Sequence, residues 1–157
     1  MKILGFDLGD GESAVTLLDE DSTVEPRVMP LCGKNSLISA VGVKDGRIVI
    51  GEAASVTDGA TEAKVRFKSR YLTDPAASAD VRAFAQGVMN ELVRTQPALM
   101  AEVSRTVVGC PAGWGDGRRE QYAALLPEVE SAEEFYELVV KPCLDEFKVN
   151  GLSIGHL

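Results

Sequence analysis

Two apolar runs flank a polar loop at the start of the chain. Lys2-Ile3-Leu4-Gly5-Phe6-Asp7-Leu8 leads into Gly9-Asp10-Gly11-Glu12-Ser13, and Ala14-Val15-Thr16-Leu17-Leu18 follows. Apolar runs around a Gly-rich loop predict a β-hairpin, and Asp10-Gly11 is a favoured pair for a tight turn. Shorter apolar, β-branched runs predict strands at 26–31, 36–43 and 47–50, with Lys44-Asp45-Gly46 turning between the last two. A short helix is expected from Gly51. The period then changes. Val81, Phe84, Ala85, Val88 and Leu92 recur at the i, i+3, i+4, i+7 spacing, which predicts a helix over 79–93 ended by Gln96-Pro97. Arg105 to Cys110 reads as a buried strand and Pro111 to Gly117 as a loop. A helix over 117–126 follows, with Asp116 as its cap. Phe135, Leu138, Val139 and Leu144 predict a further helix over 132–147. Strands, a helix, a strand, then helices make an α/β chain: a mixed twisted sheet with packed helices, in a single domain spanning 1–157.

Charge and composition narrow the function. The formal net charge is −8 and the sequence pI about 4.7, so the surface disfavours nucleic acid and anionic membranes. No apolar run approaches the roughly 18 residues that span a bilayer. The first residues enter a strand at once, unlike a signal peptide. Cys32, Cys110 and Cys143 are widely spaced, and the one histidine is His156. That pattern disfavours zinc and a His-based triad, and it suits free thiols in a reducing cytoplasm. Asp19-Glu20-Asp21 resembles a calcium loop only faintly. Val24 stands where the loop needs glycine and Pro30 where it needs glutamate, so a solvated turn is expected.

Two stretches carry candidate chemistry. Asp7 ends the first strand, where its carboxylate would face the loop. Gly9 and Gly11 let backbone N–H groups approach an anion, and Ser13 adds a hydroxyl. Taken alone, the hairpin reads equally as a plain polar tip or as a holder of metal-bound phosphate. Lys64-Val65-Arg66-Phe67-Lys68-Ser69-Arg70-Tyr71-Leu72 is a basic cluster in an acidic chain. It is either a solvated face with Val65, Phe67 and Leu72 on the core, or a supply of cations for a phosphate.

Three stretches, in order, resemble the actin-like ATPase superfamily, and the DnaK-type heat-shock chaperones in particular. Gly5-Phe6-Asp7-Leu8-Gly9 with Ser13 is similar to the first phosphate loop. Phe67 to Leu72 is similar to the segment with the catalytic lysine. Val107 to Glu120 is similar to the strand, Pro-Ala turn and helix that follow. The resemblance covers about residues 2–126 and implies the first lobe of an actin-like (ribonuclease H-like) ATPase domain. It implies that Asp7 holds Mg2+ through water and that Gly9, Asp10, Gly11, Glu12 and Ser13 wrap the ATP phosphates. It further implies that Lys68 sits by the γ-phosphate, and that Pro111 and Arg119 relay nucleotide state. The implied partners are unfolded client proteins and co-chaperones, reached through a longer protein.

Two departures accompany the resemblance. Asp10 and Gly11 replace the family's two threonines. Unit charges about 4 Å apart at an effective dielectric of about 20 repel by about 4 kcal/mol, which weakens phosphate binding unless Mg2+ or Lys68 screens it. The second phosphate loop and the adenosine motif, which belong to a second lobe, are not found, and residues 127–157 depart from the family pattern. Full binding of ATP and Mg2+ is therefore expected only with that second lobe, and this chain alone is expected to bind nucleotide weakly. The alternatives are a sugar-kinase or reactivase relative, or a non-catalytic nucleotide- or protein-binding module of the same fold.

Overall fold

A computed structural model describes residues 1–21, 25–56, 63–71, 73–110 and 113–126, and the backbone of 131–134. The first hairpin forms as the alternation requires. Strand β1 (Lys2–Leu8) pairs antiparallel with β2 (Glu12–Asp19), from Lys2 opposite Asp19 to Leu8 opposite Ser13. Leu4, Phe6, Leu8, Val15 and Leu17 share the buried face, while Asp7 is exposed on the other. The turn differs from the expected tight pair. Neither Asp10 nor Gly11 has a positive φ; the Asp-Gly pair with two left-handed residues is Asp45-Gly46, at φ 51° and 75°. It joins β5 (Ala40–Lys44) to β6 (Arg47–Ile50), where the two-residue loop needs that backbone.

The strand expected over 26–31 is β3 (Arg27–Met29), and that over 36–43 breaks at Ser39 into β4 (Leu37–Ile38) and β5. The break separates two sheets. The larger runs β3-β2-β1, with β4 also on β2. It continues through β8 (Val103–Cys110) and β9 (Ser131–Glu134), both parallel to their neighbours. The smaller is β6-β5-β7, where β7 is Lys64–Val65. Helices α1 (Glu52–Val56) and α2 (Phe67–Arg70) flank β7 in the chain.

Helix α3 (Pro75–Thr95) is longer than its apolar period. The Asp74 side chain accepts the Ala76 N–H at 2.9 Å, and Pro75 takes the first helical position, so the start lies four residues before the first periodic stretch. Val81, Phe84, Val88 and Leu92 are fully buried. Phe84 contacts Phe6 of β1 and Phe67 of α2, with ring centroids 6.5 and 5.3 Å apart. Pro97 does more than end this helix; it opens α4 (Pro97–Ala101).

Helix α5 (Asp116–Leu125) has Gly115, not Asp116, at its cap, and no side chain caps it. Asp116 is its first helical residue. The larger correction concerns 131–134. Ser-Ala-Glu-Glu was expected to begin a helix at Ala132, but it pairs with Val107–Cys110 of β8. The open parallel edge of β8 overrides weak local preference there. Residues 135–147 of the expected helix lie outside the described residues, as do Leu72, Pro111, Cys143 and His156. The fold is mixed α/β, with a mixed sheet and packed helices. No helix among the described residues is long and apolar enough to cross a membrane.

Candidate functional site

The parallel strands β1 and β8 end side by side, Phe6 level with Val108. Crevices outside the carboxyl ends of parallel strands are common ligand sites in α/β sheets. Lys68 reaches this place from α2 and donates from Nζ to the Leu8 carbonyl, the last residue of β1. Its neighbour Phe67 is fully buried and anchors the segment, so Lys68 is turned inward while Lys64 and Val65 stay exposed. The cluster therefore divides. Arg70 is engaged with Asp74, Asp80 and the carbonyls of Val65 and Arg66. Lys68, unlike Arg70, bonds to the end of β1. Burial pushes its pKa below the ordinary lysine value, and the charges of Asp7, Cys110 and Asp10 oppose that shift.

The loop from Gly9 to Ser13 is built from the inside by two hydroxyls. Ser13 and Ser39 are buried, with Oγ atoms 2.7 Å apart. Ser39 donates to the Gly9 carbonyl at 2.7 Å, and Ser13 accepts the Gly9 N–H at 3.2 Å. The Ser39 N–H also donates to the Gly11 carbonyl at 2.9 Å. Ser13 thus shapes the loop from beneath. A Cβ on Gly9 would lie 2.0 Å from the Glu12 carbonyl oxygen, so only glycine permits this close approach. Around Gly11 a Cβ would meet nothing within 4 Å, which leaves the outer side of the loop open.

The charge of Asp10 is not met by an ion pair with Lys68 among the described residues. Its carboxylate is held by Ser69 instead: Oδ1 accepts the Ser69 N–H and Oδ2 the Ser69 hydroxyl, each at 3.1 Å. The clamp has a physical cause. Lys68 turns into the site, and the next residue on α2 turns its donors toward the loop. Two hydrogen bonds fix Asp10 at the outer edge, and the anion is tolerated without neutralising the lysine.

Beneath the site lies an aromatic group on α5. Tyr122 packs against Tyr71 at 5.6 Å and edge-on against Trp114 at 5.3 Å. Arg118 lies over the Trp114 ring, and Arg119 donates to the Trp114 carbonyl at 3.0 Å. Cys110 is buried, as a small residue ending an apolar strand should be. Cys32 and Cys110 are free thiols. Glu12 is exposed and lines a cleft of about 430 Å³ with Cys32, Lys34 and Glu52, whose lining includes none of Asp7, Asp10 and Lys68.

The geometry brings together Asp7, Asp10, Gly9, Gly11, Ser13 and Lys68, leaves Glu12 facing another cleft, and puts Arg119 on the helix behind. Ser39, Ser69 and Tyr122 were not foreseen as site residues. Ser39 carried one signal, a hydroxyl between Ile38 and Ala40 in an otherwise apolar run. Among the described residues no three His, Cys, Asp or Glu side chains are grouped to hold a metal. Mg2+ held by water, one carboxylate and phosphate oxygens requires less, and Asp7 beside a half-buried lysine and an open glycine loop fits that demand. Compared with known proteins, the chain matches no family model and no curated sequence.

Proposed function

We propose that this chain is the first lobe of a DnaK-like ATPase, binding the phosphates and magnesium of ATP. One observation supports it above the others. Lys68, distant in sequence, is brought to the end of β1 beside Asp7, at the mouth of two parallel strands. Phosphoryl transfer needs a metal, a fixed positive charge and positioning, and little covalent chemistry. Asp7 would orient the water shell of Mg2+, Lys68 would face the γ-phosphate, and backbone N–H groups of 9–11 would cradle the anion. Arg119, bonded to the Trp114 carbonyl at the start of α5, is the proposed relay of nucleotide state, with Pro111 before it.

Catalysis requires the second wall of the cleft. In a longer protein carrying that lobe, Lys68→Ala is expected to abolish ATP hydrolysis while Mg2+·ATP still binds. Hydrolysis at the unmutated rate would refute the assigned role of Lys68. The 157-residue chain alone is expected to turn over no more ATP than its own Lys68→Ala control.

A further inference from the structure

Among the described residues, one buried side-chain polar atom has no hydrogen-bond partner: the Tyr122 hydroxyl. The residue is fully buried on α5. A buried hydroxyl without an acceptor is disfavoured, because it has left water for nothing in return. Packing does not account for it, since phenylalanine would make the same ring contacts with Tyr71 and Trp114. Its surroundings are more telling. Tyr71 closes the turn that carries Lys68, its N–H bonded to the carbonyls of Phe67 and Lys68. Asp7 and Cys110 act electrostatically on Lys68 and on Tyr122 alike. The hydroxyl thus lies within electrostatic reach of Asp7 and Cys110, which stand near the ends of β1 and β8.

We infer that Tyr122 is a positioning residue of this site, its hydroxyl a donor held for the phosphate oxygens that Asp7 and Lys68 receive, reached directly or through one water. The inference rests on the phosphate-binding reading. Burial pushes the phenol's pKa up, with Cys110, Tyr71 and Asp7 adding to the shift, so the group stays a neutral donor and never adds an anion there. A neutral donor beneath the site suits an anionic ligand whose outer face already meets a lysine.

The test uses the 157-residue chain, magnesium pyrophosphate as probe, and tyrosine labelled with ¹³C at Cζ. Tyr122→Phe identifies the Tyr122 resonance among the three tyrosines. Titration is expected to move that resonance saturably. Tyr122→Phe is expected to bind the probe about threefold to tenfold more weakly, as for one lost hydrogen bond. Without ligand, its thermal midpoint should equal or exceed that of the unmutated chain. An unmoved resonance with unchanged affinity overturns the inference and leaves the phosphate site standing. A lower midpoint without ligand also overturns it, because the hydroxyl would then have a partner in the free protein. If amide signals of Gly9 to Ser13 show no pyrophosphate binding by the unmutated chain, the phosphate reading falls and this inference with it.

Discussion

Asp10 is the residue at which local chemistry and the proposed function conflict most. An anion beside a phosphate loop repels the ligand, yet its carboxylate holds two Ser69 donors. A unit charge about 8 Å away at an effective dielectric of about 40 is worth about 1 kcal/mol. Asp10→Asn keeps an acceptor for Ser69 and removes the charge. It should therefore tighten Mg2+·ADP binding by about fivefold. Weaker binding on calorimetric titration would mean that Asp10 helps to hold the metal. Ser39 poses a different question. Its hydroxyl bridges Ser13 and the Gly9 carbonyl inside the protein. Ser39→Ala leaves buried partners unpaired and should cost about 1–3 kcal/mol in chemical denaturation. A loss well below that would show the loop to be held mainly by the backbone. Asp7, Gly9 and Lys68 stand out in the sequence because the proposed ligand chemistry calls for their types and spacing. Ser39, Ser69 and Tyr122 do not, because their roles depend on contacts between segments far apart in the chain.

At the scale of elements, α3 joins the two sheets. Phe84 stands between Phe6 and Phe67, so one side chain couples β1 to the segment that delivers Lys68. Phe84→Ala should destabilise the chain by about 3–5 kcal/mol, with loss of protection of the α2 amides in hydrogen exchange. Destabilisation without any change at α2 would show that Lys68 is placed by other contacts. Strong periodicity made β1, β2 and α3 readable, since burial of one face fixes both period and register. The failures were of another kind. Asp10-Gly11 looked like the tight turn, but serine hydroxyls and Glu12 set a different backbone there. Residues 131–134 carry no strand signal of their own; the exposed edge of β8 recruits them.

For the whole molecule, the site lies where two parallel strands end and a lysine from a remote segment arrives. That juxtaposition depends on the topology β3-β2-β1-β8-β9 and on the core beneath it. Lys68 would have little reason to reach the end of β1 without it. The most direct test of the proposed function is therefore a map of ligand contact on the folded chain. Amide chemical shifts would be followed while Mg2+·ATP is titrated into the unmutated protein and into Lys68→Ala. Saturable shifts are expected to centre on Asp7 to Ser13 and on Lys68 and Ser69, with the affinity reduced in Lys68→Ala. Shifts centred on the cleft of Glu12, Cys32 and Lys34, or equal affinity in the two proteins, would contradict it.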